Sequence, residues 1–145
     1  MAGAPHLLIV RAPYYEDITN ELTQGAIHAV EAAGGTFDIL DVPGAFEIPG
    51  AIAMAAQTAS YDGYIALGCV IRGETSHYDY VCGECARAIQ DLAVQHHLAV
   101  GFGVLTVENR GQADARAARN QKNKGGEAAG AALAMIGLRA RFEIS

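Results

Sequence analysis

Tyr64-Ile65-Ala66-Leu67-Gly68-Cys69 is an unbroken apolar run. A strand with one wet face alternates apolar and polar residues, so a run without that alternation suits a strand covered on both faces. Residues 7–10, 37–42 and 100–107 are also mainly apolar rather than alternating. Helical patterns lie between these runs. Ile18, Leu22, Ala26, Ala29 and Ala33 fall on one face at spacings of four and three, and Gly34-Gly35 supplies a stop. Residues 48–60 are Ala-rich, with Pro49 acceptable in a first turn. Val81, Cys85, Ala88, Ile89 and Leu92 give a third stripe, and Ala128, Ala132, Met135 and Ile136 a fourth, preceded by a shorter helical piece near residues 112–118. The order β-α-β-α-β-α-β-α-α predicts one α/β domain, a parallel sheet and right-handed crossovers.

The 145 residues fit a single domain, 1–145, by the prior of about 150 residues per domain. A chain of this length buries roughly 68–70% of its unfolded surface and needs no disulfide or metal to hold a core. Charged residues are 18% of the chain and hydrophobic ones 51%, which excludes a disordered polymer. The longest apolar run, residues 128–138, is far short of the about 20 residues that span a bilayer. No basic stretch followed by an apolar one opens the chain, and three cysteines make an odd count for a secreted framework. These features predict a cytoplasmic protein with no membrane partner.

The net charge of −6 argues against a nucleic-acid binder. Its distribution is uneven. Residues 1–109 carry three basic and 13 acidic side chains, a net of −10. Residues 110–124 carry five basic ones against Asp114 alone, a net of +4. A short basic stretch on an acidic chain suits a small anion, or else a solvated helix face.

Ligands of parallel sheets sit beyond the carboxyl ends of the strands, so the segments that follow each run deserve inspection. After the third run come Arg72, Glu74, Thr75, Ser76, His77 and Asp79. Histidine is the residue type that exchanges protons near neutral pH, and Asp79 stands close enough in sequence to orient it. The alternative makes Thr75 or Ser76 a helix cap and His77 a plain first-turn residue. After the second run, two prolines and a glycine fix a loop containing Ala45, Phe46 and Glu47. Such a loop either presents its polar groups and Glu47 to a ligand, or is a turn with Phe46 in the core. After the first run, Tyr14 offers a ring for stacking or for packing under a loop. After the fourth, Arg116 can grip a phosphate through two parallel hydrogen bonds, and Lys124-Gly125-Gly126 opens a helix. No Walker motif is present. Cys82 and Cys85 form a Cys-x-x-Cys pair inside the third helical stripe, away from the strand-helix junction that redox or zinc chemistry favours, and no metal site is expected.

Five motifs in order resemble one family. They are Pro-Gly-Ala-Phe-Glu-Ile-Pro (43–49), Gly-Cys-Val-Ile-Arg-Gly-Glu-Thr-Ser-His-Tyr-Asp-Tyr-Val (68–81), Phe-Gly-Val-Leu-Thr-Val-Glu-Asn (102–109), Gln-Ala-Asp-Ala-Arg (112–116) and Asn-Lys-Gly (123–125). The stretch from about Leu7 to Phe142 is similar to the 6,7-dimethyl-8-ribityllumazine synthases. The resemblance implies a flavodoxin-like three-layer sandwich, with a central four-stranded parallel sheet flanked by helices. It implies a transferase at the penultimate step of riboflavin synthesis. There, 5-amino-6-(D-ribitylamino)uracil condenses with 3,4-dihydroxy-2-butanone 4-phosphate without metal or organic cofactor. His77 matches the proton-transfer histidine. Ala45, Phe46 and Glu47 match the loop around the ribityl chain and pyrimidine. Cys69, Val70 and Ile71 match the strand end whose backbone reads the pyrimidine edge. Glu74 and Thr75 match residues beside the phosphorylated substrate, and Arg116, with Lys124, the phosphate grip. Phe102 matches an aromatic wall from a neighbouring subunit. Tyr14 stands where the family usually carries a stacking phenylalanine, and the Arg-Phe-Asn usual there is replaced by Pro13-Tyr14-Tyr15.

The same resemblance implies a homo-oligomer, a pentamer or a multiple of pentamers, with sites shared between subunits. The five residues before His6 leave little chain for an added N-terminal strand, and 116–124 carries no evident insertion. The rival readings are a catalytically weak flavin- or lumazine-binding relative, a shell protein, and a metal or redox protein built on Cys82 and Cys85.

Overall fold

The computed structural model describes residues 3–144, so the expectation about the segment ahead of His6 lies partly outside the described residues. Four strands form one sheet: β1 (His6–Ala12), β2 (Thr36–Asp41), β3 (Gly63–Ile71) and β4 (Val100–Val107). Five α-helices connect and follow them: α1 (Glu16–Ala32), α2 (Ile48–Ala56), α3 (His77–His96), α4 (Arg110–Ala117) and α5 (Lys124–Arg141). A single 3₁₀ turn, Ala45–Glu47, leads into α2. All strand pairs are parallel, in the order β2-β1-β3-β4. No helix among the described residues is long and apolar enough to cross a membrane.

Side chains alternate across a strand, and in β1 both sets are apolar. Leu7 and Ile9 face a core built with Ile18, Leu22, Ala26 and Val30 of α1 and with Ala128, Ala129, Ala132 and Ile136 of α5. Leu8, Val10 and Ala12 face the other core, built with Ile48 and Ile52 of α2 and Val81, Cys85 and Ile89 of α3. Each fully buried aliphatic side chain stabilises the fold by about 1.5–3 kcal/mol. This is the expected three-layer sandwich, with α1, α4 and α5 on one face and α2 and α3 on the other.

The helix α5 approaches the sheet and α1 closely because glycines allow it. A Cβ on Gly101 would collide with the Ala128 carbonyl, and one on Gly125 with the Leu22 carbonyl. Asn123 caps α5 by accepting from Gly126 N–H. At the end of α1, Gly34 takes φ +78°, the left-handed geometry that stops the helix. Ala33 is the helix C-cap rather than part of the buried stripe, and Val30 takes that place.

The expectation that every strand is covered on both faces fails at both edge strands, in β4 at Phe102, 43% exposed, and more fully in β2. It lies at the sheet edge, and Ile39 and Leu40 stay 44% and 40% exposed. An edge strand has one neighbour only; Phe37 is half-buried against the core, and the other residues of β2 stay exposed.

Candidate functional site

In the order β2-β1-β3-β4, the chain leaves β1 in one direction and returns on its other side at β3. A crevice therefore opens between the carboxyl ends of β1 and β3, where doubly wound sheets bind ligands. A cavity of about 600 Å³ lies there. Its walls come from the segment after β1 (Tyr14, Tyr15), the 3₁₀ turn with Gly44, the last residues of β3 (Cys69, Val70, Ile71) and the first turns of α3 (His77, Tyr80, Val81).

Each wall has a local cause. Tyr15 C=O accepts from Thr19 N–H at 2.9 Å and starts α1, which leaves Tyr14 projecting ahead of the helix, 78% exposed. The two rings meet edge-on, 4.9 Å apart. Pro49 sits in the first turn of α2, and Glu47 N–H donates to Gly44 C=O at 3.1 Å. This closes a turn in which Ala45 is buried and Phe46 is 56% exposed on the cavity. Phe46 is thus a wall residue, not a core one. Arg11 fixes the strand end leading into this turn: it donates to Asp41 from Nε at 2.8 Å and from a terminal nitrogen at 3.0 Å. That bidentate hydrogen bond holds the Asp41 carboxyl below its ordinary range.

Cys69 forms part of the buried core beneath the cavity, and burial pushes its thiol up to about 11. A thiol held neutral is a poor nucleophile, so what Cys69, Val70 and Ile71 present at the strand end is backbone N–H and C=O. Cys85 is buried among Val81 and Ile89, and burial pushes its thiol to about 11 as well. Both cysteines of the Cys-x-x-Cys pair sit within α3, as the helical stripe predicted.

His77 is the first residue of α3, after Ser76, and lines the cavity. Its backbone N–H donates to Thr75 Oγ1 at 3.3 Å. The two readings of this segment therefore coexist: a first-turn histidine is also a cavity histidine. The suggestion that Asp79 orients the imidazole is corrected. Asp79 lies 3.5 Å from the Arg72 guanidinium, and among the described residues no ion pair joins it to His77. One helical position separates residues by about 100°, so a side chain two places on points well away.

The cavity thus gathers Tyr14, Ala45, Phe46, Glu47, Cys69, Val70, Ile71 and His77. Among the described residues its walls do not include Glu74, Thr75, Phe102, Arg116 or Lys124. Glu74 and Thr75 are exposed on the loop before α3. Phe102 is on the edge strand β4, 43% exposed. Arg116 donates to its own helix at Gln112 C=O, 3.2 Å away, and Lys124 Nζ lies 3.1 Å from Glu127. Tyr15, Gly44, Tyr80 and Val81 are wall residues that the sequence reading missed. Tyr80 had a usable signal, since it lies one helical turn from His77.

Comparison with known proteins places the chain. The family model for 6,7-dimethyl-8-ribityllumazine synthase matches residues 4–140. A 6,7-dimethyl-8-ribityllumazine synthase 1 of Rhizobium meliloti is 57% identical, covering 94% of this chain and 93% of that protein. The 6,7-dimethyl-8-ribityllumazine synthases of Agrobacterium fabrum and Bartonella henselae are each 55% identical, covering 95% and 94% of this chain and 97% and 90% of those proteins. With a family model spanning nearly the whole chain and relatives matched along almost their full length, the chain belongs to the 6,7-dimethyl-8-ribityllumazine synthase family.

Proposed function

We propose that the cavity between β1 and β3 condenses 5-amino-6-(D-ribitylamino)uracil with 3,4-dihydroxy-2-butanone 4-phosphate, giving 6,7-dimethyl-8-ribityllumazine. The amine adds to the ketone and water leaves, forming a Schiff base. Loss of the C3 proton and of phosphate leaves an enol, which tautomerises to a new ketone at C3; the ribityl-bearing nitrogen adds to that carbon, closing the ring, and a second water departs. The observation that carries this reading is the convergence of an exposed ring (Tyr14), a carboxylate (Glu47), a strand-end backbone (Cys69, Val70, Ile71) and an imidazole (His77) on one cavity.

Each group has a task its chemistry suits. The Tyr14 face stacks on the pyrimidine, with its hydroxyl toward water. The turn at Ala45 and Phe46 encloses the ribityl chain, and Glu47 accepts from its hydroxyls. The free N–H and C=O groups at the end of β3 pair with the pyrimidine edge. His77 carries protons between the amine, the carbinol oxygen and the leaving groups. Glu74 and Thr75 flank the phosphorylated substrate. Holding two small reactants in register is worth up to about 7–11 kcal/mol in ideal cases, more than the proton transfers add.

Phosphate binding needs cations, and among the described residues the cavity walls include no arginine or lysine. Arg116 and Lys124 of a neighbouring copy, with its Phe102, complete the site. The working form is therefore a homo-oligomer, a pentamer or a multiple of pentamers, acting in the cytoplasm. The test is direct: the purified chain, mixed with both substrates, forms the lumazine, and its mass in solution is a multiple of five chains. Absence of product from an assembled protein overturns the assigned reaction. A monomer that makes product overturns the shared site.

A further inference from the structure

We infer that Arg72 is a positioning residue for His77, tying the first turn of α3 to the end of β4. The inference rests on the reading of His77 as the proton-transfer group. Arg72 directly follows β3, and its backbone N–H donates to Val107 C=O at 2.9 Å, extending the ladder to β4 by one residue. Its side chain then makes three different contacts. Nε donates to Glu108, 3.0 and 3.1 Å from the two carboxylate oxygens. A terminal nitrogen lies 3.5 Å from Asp79 Oδ1. The guanidinium carbon stands 4.3 Å from the centre of the Tyr78 ring. Tyr78 and Asp79 are the two residues after His77, so a single planar cation grips that turn on two successive side chains and anchors it to Glu108.

His77 needs such support. Among the described residues no hydrogen bond joins its imidazole to another protein group, whereas its backbone N–H is held by Thr75 Oγ1. The ring's position is therefore set by the turn that carries it. Arg72 side-chain exposure is 41%, and exposed ion pairs add little to stability. A displacement of about 1 Å in a reacting group can lower a rate by about 10²-fold. The two magnitudes separate a positioning role from a structural one: removing Arg72 should harm kcat much more than it harms Tm.

The experiment uses the full assembled protein and both substrates. Arg72→Ala is expected to lower kcat by about 10- to 10²-fold, with both KM values and Tm nearly unchanged. Arg72→Lys keeps the charge but loses the fork and the planar stack, so it recovers only part of the rate. Glu108→Gln leaves Arg72 in place and weakens its anchor, which predicts a smaller fall in the same direction. In a His77→Ala background, Arg72→Ala should cause no further loss, because the group it positions is gone. Wild-type kcat in Arg72→Ala overturns the inference. So does a rise confined to one KM, which would make Arg72 a substrate ligand, or an equal loss with and without His77. If His77→Ala itself turns over normally, the catalytic reading of the site fails first. A slow His77→Ala beside a normal Arg72→Ala removes this inference alone.

Discussion

Two groups of polar and aromatic residues were expected to form one site, and the fold treats them differently. The first (Tyr14, Ala45, Phe46, Glu47, Cys69, Val70, Ile71 and His77) lies at or just beyond the carboxyl ends of β1, β2 and β3, and backbone geometry turns it into one cavity. The second, Phe102, Arg116 and Lys124, belongs to β4, α4 and α5 and lies outside those walls, with its two cations resting on local acceptors. The first group therefore assembles within one chain, whereas the second stays outside its cavity; in the proposed reading a neighbouring copy supplies it. The difference has a topological cause. Only the β1–β3 junction changes direction in the sheet, so only there do neighbouring connections diverge and leave room.

The sharpest way to break this comparison acts on the first group. His77→Ala should lower kcat by about 10²–10⁴-fold while both KM values stay near wild type. Steady-state kinetics with each substrate varied in turn measures this. An unchanged kcat would show that His77 is not the group that moves the protons.

Arg116→Ala acts on the second group and should produce the opposite split. A charge-assisted hydrogen bond contributes about 1.5–3 kcal/mol, which corresponds to a rise of about 10- to 10²-fold in KM for the phosphorylated substrate. KM for the pyrimidine should hardly move. If both rise together, Arg116 holds the assembly rather than the phosphate. Mixing settles whether the two halves come from different chains. His77→Ala and Arg116→Ala chains, unfolded together and reassembled in equal amounts, should regain about a quarter of the wild-type sites, because random neighbours pair intact halves that often. No recovery from assembled mixtures would place both halves on one chain.

The interior offers a control. Gly101→Ala or Gly125→Ala forces a methyl group into a backbone carbonyl across the α5 contact, where overpacking costs about 1–3 kcal/mol. Tm should fall. In molecules still folded, KM for the pyrimidine should stay put, because α5 does not touch the cavity. An altered pyrimidine KM at unchanged Tm would mean that α5 shapes the cavity.

How much of this is legible in the sequence depends on the kind of signal. Unbroken apolar runs and helical stripes fixed β1, β3, β4 and the helices, because burial on both faces leaves a pattern in residue type. They misjudged β2, since Phe37, Ile39 and Leu40 read as buried whether a strand is central or at an edge, and only the strand order decides. Glycine and proline at 43–49 announced a rigid turn, but its outward-facing Phe46 depended on where α2 docks. Spacing within a segment, the feature that led from His77 to Asp79, was the weakest guide. The true partner of Asp79 is Arg72, and Arg72 is placed by Glu108, 36 residues further along the chain.

The smallest expected effect lies where the two strands next to the cavity end. Arg11 and Asp41 brace the end of β2 just before the turn that carries Phe46 and Glu47. Asp41 is half exposed, so solvent screens the pair, and Asp41→Asn should lower stability by only about 0.2–1 kcal/mol near neutral pH. The Asp41 carboxyl is held below its ordinary range by Arg11, so its charged form is favoured in the folded state. Its contribution is complete above the unfolded value of about 3.9 and fades as pH falls through the lower folded value. Denaturant titrations should therefore show wild type and Asp41→Asn separated at about pH 7 and converging as pH falls below about 3.9. A gap that widens on acidification would reverse the sign and show that Asp41 is not held in its charged form. A gap that closes, together with a slightly raised KM for the pyrimidine in the variant, would tie the brace to the cavity.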